Sequence, residues 1–356
     1  MLGAATSAIF FAVHPIHVEV VSWASATVEA SMSFFFILSL YLFILFRQNA
    51  QKRYYFFSAL SFLCALFSKE TAAMLIILLP LYDYFFIKTS LSKKHNKRHY
   101  LLYTICFALY YALRHLNLPS NPLSSINVGF GEGSLRLISA MGYYLQNSIW
   151  PITVNPYIAS VQTTSKALIG SLIFISIFSF LTLYTFKKFK AISYHLCLFF
   201  LTIGPALLVS CTLTSSLPLS ERYLYLPSYG ICFALGALMT LEVKPLIQNL
   251  KISLLVFLVI IGGYYSFQRS KIWHDEFSFW SQAIKVNPDY MAPWANLGTA
   301  FVHKNNCPKA LAYFEKALPL KETNDKPAKE QNYPSPHLGF GQRRLGKTWH
   351  VFITKR

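Results

Sequence analysis

Charge is what this sequence is short of: 13% of its 356 residues are Asp, Glu, Lys or Arg, with 14 acidic residues against 32 basic ones. An ordinary soluble domain carries about 25% charged residues. A soluble globular enzyme is therefore excluded. Cysteine is sparse too, and five of the six (Cys64, Cys106, Cys197, Cys211 and Cys232) fall inside apolar runs while Cys307 stands alone in a polar region. That pattern excludes a disulfide framework and a CxxC metal pair. A basic stripe or nucleic-acid module is also missing, so the formal net charge of +18 does not point to nucleic acid. Leu2–Val13 lacks both a basic leader and a small-residue cleavage site, so no signal peptide is expected.

What the chain does have is apolar surface: 54% hydrophobic and 17% aromatic residues, with a mean hydropathy of +0.41. These values describe an integral membrane protein. Apolar stretches long enough to cross a core of about 30 Å are expected at 20–46, 71–87, 167–186, 192–213, 223–241 and 252–267. Shorter ones at Leu2–Val13, 54–67 and 100–113 need neighbours to span, and 134–150 is expected to lie in the interface or re-enter.

The basic residues gather between apolar runs, at Arg47, Lys52 and Arg53, at Lys93, Lys94, Lys97 and Arg98, and at Lys187, Lys188 and Lys190. Under the positive-inside rule these are cytoplasmic. The same parity places His14 to Glu19, Ser68-Lys69-Glu70, the long 114–166 excursion, the 214–222 loop and everything after Phe267 on the outer face.

Before Gln268 the acidic residues are Glu19, Glu29, Glu70, Asp83, Glu132, Glu221 and Glu242. Glu19, Glu70 and Glu221 sit at outer helix ends beside His14 and His17, Lys69 and Arg222. Ionisable groups at membrane depth cost about 2.5–3.5 kcal/mol on insertion scales, so their gathering on one face points to a polar site. The alternative is that each merely snorkels at its helix end. Lys69 as a point charge and Arg222 as a planar fork suit phosphate oxygens, so an anionic lipid-linked ligand is expected. His14, His17 and Glu19 also have donor types that suit a divalent ion, but their spacing forms no recognised set, and no metal or other cofactor is expected. Asp83, at an inner helix end, reads as structural.

In the polar region, Trp294, Leu297, Gly298, Phe301, Ala310, Phe314 and Ala317 reproduce tetratricopeptide spacing, with Glu322 at the position expected for proline. Trp280, Ala283 and Pro288 keep the spacing of the second half of a preceding repeat. About one and a half repeats are thus expected, fewer than the three usually needed to bury a continuous core. The expected organisation is a transmembrane region over 1–267, the repeats over 268–320, and a disordered or aberrant tail over 321–356.

His14-Pro15-Ile16-His17-Val18-Glu19-Val20-Val21 followed by Glu29, then Leu66-Phe67-Ser68-Lys69-Glu70-Thr71, then Leu81-Tyr82-Asp83-Tyr84, resemble the transmembrane and tetratricopeptide-repeat-containing O-mannosyltransferase family and its bacterial relatives. Asn121-Pro122, Trp150-Pro151, the run from Glu221-Arg222-Tyr223 to Gly230, and Trp273 are similar to later landmarks of that family, in the same order. The resemblance implies an all-α, polytopic transmembrane helix bundle of the GT-C-like type, followed by a short external helical-hairpin region of tetratricopeptide type. It implies a glycosyltransferase that moves a sugar, typically mannose, from a polyprenyl-phosphate carrier to a protein hydroxyl on the outer or lumenal face. The expected membrane is the bacterial inner membrane or that of the endoplasmic reticulum. By the same resemblance Lys69 and Arg222 contact the donor phosphate and Glu19 helps line the catalytic pocket, where it is read as the catalytic base, as a positioning group or as a plain helix-end residue; His14, His17, Glu70 and Glu221 are the further pocket-lining candidates. Trp294, Phe301 and Phe314 fall on the acceptor side. The chain departs from the family in opening at what looks like its third helix, without the first acidic outer loop, and in having Thr27 where eukaryotic members often carry Arg. A non-catalytic scaffold with a partner-binding repeat, or a degenerate homologue, is the competing expectation, and a transporter is a third.

Overall fold

The computed structural model describes residues 2–87, 94–117, 129–149, 151, 155–158, 160–211, 218–241 and 243–320. Glu242, Asn121, Pro122, Trp150 and the 321–356 tail lie outside them. Among the described residues the secondary structure is entirely helical, with no strand.

The chain opens with α1 (Leu2–Val13) and α2 (Val18–Ser22), separated by a 3-10 turn at Pro15–His17. Pro15 has no N–H to donate, so the α-helical ladder stops at His14 and the two segments meet at 53°. A bonding gap remains at the break, and Ser266 Oγ fills it by donating to the Val13 carbonyl at 2.8 Å. α3 (Thr27–Asn49) and α4 (Lys52–Ser68) form a hairpin closed by Ala50, which adopts φ 55° and caps α3 by donating to the Phe46 carbonyl. α5 (Leu75–Phe86), α6 (Lys94–Asn117) and α9 (Lys190–Ser210) complete the first packed core around Phe36, Phe43, Phe62, Leu75, Tyr103 and Leu198. Inside it the Ser58 hydroxyl sits 2.6 Å from Tyr103 Oη and donates to the Ser39 carbonyl, a polar tie between small residues that lets α3 and α4 approach closely.

The second core joins α7 (Phe130–Ile149), α8 (Ser165–Lys188), α9 and α10 (Tyr225–Met239) around Ile16, Leu145, Phe199, Ile203 and Leu224. α1 lies directly on α10, where a Cβ at Gly236 would come within 2.4 Å of the Gly3 carbonyl oxygen; only glycine permits this contact. α11 (Pro245–Ser270) runs against α1 and turns most of its surface outward, with Leu246, Phe257 and Ile260 exposed. An uncovered apolar helix of this length belongs in lipid.

Among the described residues four helices are long and apolar enough to cross a membrane: Ala24–Asn49, Ser165–Phe186, Lys190–Ser210 and Pro245–Ser270. The bent pair at Gly3–Val13 and Pro15–Ser22 makes a fifth if it forms one span. The expectations at 71–87 and 223–241 are therefore corrected. Both open as 3-10 turns, Glu70–Met74 and Glu221–Leu224, and become α-helical only over Leu75–Phe86 and Tyr225–Met239. The polar residues at 69–70 and 221–222 cannot enter the apolar layer, so regular helix starts after them and is short. The 20–46 stretch also begins later, because Trp23 is extended and separates α2 from Ala24.

Two polar clusters mark the ends of the bundle. At one, Arg47 Nε donates to Asp83 at 2.8 Å and Tyr100 Oη donates to the other Asp83 oxygen at 2.6 Å. Asp83 is thus a structural clasp between α3, α5 and α6. Phe186 packs on Phe85 at 5.0 Å, which brings the basic 187–190 turn to the same end. At the other end of α3 stands Glu29, 18 residues from Arg47; at 1.5 Å per residue they are about 27 Å apart, close to the thickness of a hydrocarbon core.

The chain continues through α12 (Glu276–Val286), α13 (Met291–His303) and α14 (Cys307–Ala317). α13 and α14 form a hairpin in which a Cβ at Gly298 would meet the Phe314 ring at 2.8 Å. α12 docks on the segment after α7: Asn287 Nδ2 donates to the Tyr157 carbonyl at 2.6 Å, and Tyr157 packs on Ala283 and Trp280.

Candidate functional site

The end of the bundle that carries Glu29 holds a dense group of ionised side chains. Glu19 rides on α2, Glu29 on the first turn of α3, Lys69 in the extended residue that ends α4, and Arg222 in the 3-10 turn before α10. Each cation meets a carboxylate distant in sequence. Lys69 Nζ pairs with Glu29, and Arg222 Nη1 donates to Glu19 Oε1 at 2.8 Å while its backbone N–H donates to Glu19 Oε2 at 3.0 Å. Both cations also stand over the Tyr223 ring, Lys69 at 4.6 Å from the centroid and Arg222 at 5.0 Å. Arg222 lies 5.2 Å from the Trp23 ring as well, and Trp23 stacks on Trp273 at 6.1 Å. The two phosphate-contact candidates therefore share one aromatic platform.

Behind this pair lies a third. Glu221 accepts from Arg269, which is buried at the end of α11 and also donates through Nη2 to the Pro151 carbonyl at 3.0 Å. Burial pushes the Glu221 carboxyl up to about 7, Arg269 drawing it back only in part. Burial works to lower Arg222, but the Glu19 carboxylate more than offsets it and holds the guanidinium above its ordinary range. Three carboxylates thus face three cations in a largely water-excluded setting.

The remaining sequence candidates are placed differently. His14 Nε2 donates to the Ser148 carbonyl at 3.1 Å, while its Nδ1 accepts from the Ile16 backbone N–H. His17 Nδ1 donates to the Phe11 carbonyl at 2.6 Å, and its Nε2 lies 2.8 Å from Ser228 Oγ. Both imidazoles are committed to fixing the bend between α1 and α2. Glu70, half exposed, pairs with Arg114 at 3.0 Å, away from the other carboxylates. Among the described residues no group of three His, Cys, Asp or Glu side chains is placed to hold a metal ion. Trp294 donates to the Pro288 carbonyl at 2.9 Å, Phe301 stacks on Tyr313 at 5.3 Å, and Phe314 abuts Gly298. These aromatics build the hairpin seam.

The sequence arguments passed over Glu29 as a partner of Lys69, the aromatic pair Trp23 and Tyr223, and Arg269. Arg269 gave no signal in sequence, where it reads as the first solvated residue after an apolar run; its burial at the helix end is what requires a partner.

An apolar cavity of about 440 Å³ opens between α1 and α8 to α11, walled by Phe10, Phe178, Leu196, Ile231 and Ile261. Its polar end is formed by His14, Ser148 and Pro151, the last being the residue whose carbonyl Arg269 holds.

Residues 2–116 match the family described as dolichyl-phosphate-mannose-protein mannosyltransferase. The chain is similar to the human protein O-mannosyl-transferase TMTC3, with 27% identity over 135 residues, or 38% of this chain and 14% of that protein. It is similar also to the mouse protein of the same name, with 29% identity over 99 residues, 28% of this chain and 11% of the relative. The similarity therefore spans about a seventh or less of these curated relatives. No solved structure matches the chain. Glu19, Glu29 and Lys69 fall within the matched family region, whereas Glu221, Arg222 and Arg269 lie beyond it. This is an integral, multi-pass membrane protein that over residues 2–116 is similar to the dolichyl-phosphate-mannose-protein mannosyltransferase family.

Proposed function

We propose that the chain is a GT-C-type transferase that moves mannose from a polyprenyl-phosphate carrier to a protein hydroxyl at the end of the bundle where Glu19 and Lys69 lie. The observation that carries this reading is the convergence of Lys69 and Arg222 on the Tyr223 ring, beside two carboxylates at one membrane face. A single-phosphate carrier leaves as an anion, and two cations in a water-poor pocket stabilise the charge that develops on its oxygens. The acceptor oxygen forms a bond to the sugar anomeric carbon, the bond from that carbon to the phosphate oxygen breaks, and the hydroxyl proton goes to a carboxylate.

Glu19 fits the last role through an exchange of partners. In the unliganded pair both of its oxygens are held by Arg222. When the donor phosphate takes over the guanidinium, Glu19 is released and accepts the proton of the incoming hydroxyl. Glu29 keeps Lys69 oriented. The apolar cavity beside Pro151 suits the isoprenoid chain, and the C-terminal helical hairpin, read as tetratricopeptide repeats, lies on the acceptor side. Sugar transfer from a polyprenyl-phosphate mannose to a peptide tests the reading: Glu19→Gln abolishes transfer while retaining donor binding, and unchanged transfer would overturn the assignment.

The second reading, a non-catalytic scaffold, draws on one specific observation: each cation already has a carboxylate partner, so the cluster can serve as pure structural pairing. It predicts that donor lipid neither binds nor shifts thermal stability.

A further inference from the structure

A second cavity lies apart from the charged cluster, between α7, α8 and residues 155–158 and 160–162. Its volume is about 270 Å³, below the range of about 300–1,000 Å³ usual for drug-sized ligands and cofactors. Its polar lining includes Ser139, Gln146, Asn155, Gln162, Lys166 and Asn287, and among the described residues no Asp or Glu side chain contributes. Apolar wall comes from Ile158, Val161, Phe174 and Leu219.

Three features give this cleft a ligand. Ser139 is 5% exposed and its hydroxyl has no hydrogen-bond partner within the protein, so a water or a ligand in the cleft is needed to satisfy it. The turn between α12 and α13 also closes the cleft: Asn287 Nδ2 donates to Asn155 Oδ1 at 3.0 Å, and Tyr290 Oη donates to Ser160 Oγ at 2.9 Å. Finally, Leu219 on its wall precedes Glu221 by two residues, about 7 Å of extended chain, so the cleft leads toward the Arg222 and Glu19 pair.

We infer that this cleft binds an extended peptide segment flanking the acceptor hydroxyl, with Lys166 selecting an acidic residue in it. Glutamine amides at the rim offer one donor and one acceptor each, which is the pattern of a peptide backbone. The unpartnered Ser139 hydroxyl donates to a peptide carbonyl. Apolar side chains between the amides take alternate residues of an extended strand. With amides, Lys166 and no carboxylate among its described residues, the site favours acidic neighbours of the acceptor. The inference rests on the transferase reading for its biological meaning, but the binding itself does not require transfer.

The test therefore measures binding without donor. The full chain in detergent is titrated with fluorescent serine- and threonine-containing peptides, one series flanked by acidic residues and one by basic residues. Gln146, Gln162 and Lys166 are exposed at the rim, and Glu at position 166 falls in the first turn of α8, where a negative charge is compatible with the helix. Gln146→Leu and Gln162→Leu are each expected to weaken acidic-peptide binding about 3- to 10-fold. Lys166→Glu is expected to reverse the preference from acidic to basic peptides. Where transfer is measurable, the peptide KM rises while the donor KM and kcat hold. Wild-type protein that binds neither series, variants that all bind like wild type, or displacement of the peptide by free mannosides overturns the inference. Peptide binding without any sugar transfer leaves it standing and removes the transferase reading instead.

Discussion

Lys69 and Arg222, 153 residues apart in the chain, stand over the same aromatic ring, 4.6 and 5.0 Å from the centroid of Tyr223. Each is paired there with its own carboxylate, Lys69 with Glu29 and Arg222 with Glu19. This arrangement keeps two cations side by side despite their mutual repulsion, and it presents them together to an incoming anion.

The platform itself is testable. Tyr223→Leu removes the ring and its interaction with both cations, each worth about 0.5–2 kcal/mol. Donor affinity, read by thermal shift with polyprenyl-phosphate mannose, is expected to fall about 5- to 50-fold, with Tyr223→Phe close to wild type. Equal affinity in all three proteins would remove the platform from the site.

Arg269 positions the site from behind. Arg269→Ala leaves Glu221 as an unpaired buried carboxylate, which costs about 3–5 kcal/mol and lowers the melting temperature. The double change Arg269→Met with Glu221→Leu is expected to recover most of that stability, since apolar replacement of a buried pair is often neutral. Transfer is expected to stay depressed in the double variant, because the 3-10 turn that aims Arg222 loses its anchor. Full recovery of both properties would make the pair purely structural.

Stability should also depend on pH through Glu221. Its carboxyl is raised in the folded state from 4.5 to about 7, so the folded protein holds that proton more tightly than the unfolded chain. The resulting contribution is fully present below about pH 4.5 and is lost as pH rises through about 7. Melting curves of wild type and Glu221→Gln between pH 5 and 8 measure it. Wild type is expected to lose stability relative to the variant over that range, by about 1–3 kcal/mol. A constant difference would contradict the burial assigned to this carboxyl.

In the C-terminal hairpin, Gly298→Val places a branched side chain where a single carbon already meets the Phe314 ring at 2.8 Å. Overpacking of this kind costs about 1–3 kcal/mol. Limited proteolysis of the full chain is expected to cut between α13 and α14 faster in the variant, with Gly298→Ala intermediate. Identical cleavage would separate Gly298 from hairpin packing.

The helical membrane architecture was legible because composition alone forbids a soluble surface, and the hairpin because Gly298, Ala310 and Phe314 recur at a spacing that only packed helices need. The gathering of Lys69 and Arg222 at one end was legible from loop charge. Their carboxylate partners were not: α3 and α4 are apolar almost all round, so nothing in their pattern fixes the rotation that turns Glu29 toward Lys69. Arg269 was hidden by position, because it stands where an apolar run gives way to polar sequence and reads as the first solvated residue after the membrane. The bonding of His14 and His17 to the Ser148 and Phe11 carbonyls was likewise not legible, since those carbonyls come together only when the chain bends at Pro15.

The most direct test of the site is sugar transfer by the full chain in native-like bilayers, with polyprenyl-phosphate mannose as donor and a hydroxyl-bearing peptide as acceptor, comparing wild type with Lys69→Ala and Arg222→Ala. Each substitution removes one cation from the leaving phosphate and is expected to lower kcat/KM about 100-fold or more while the protein remains folded. Transfer at the wild-type rate in both variants would contradict the account.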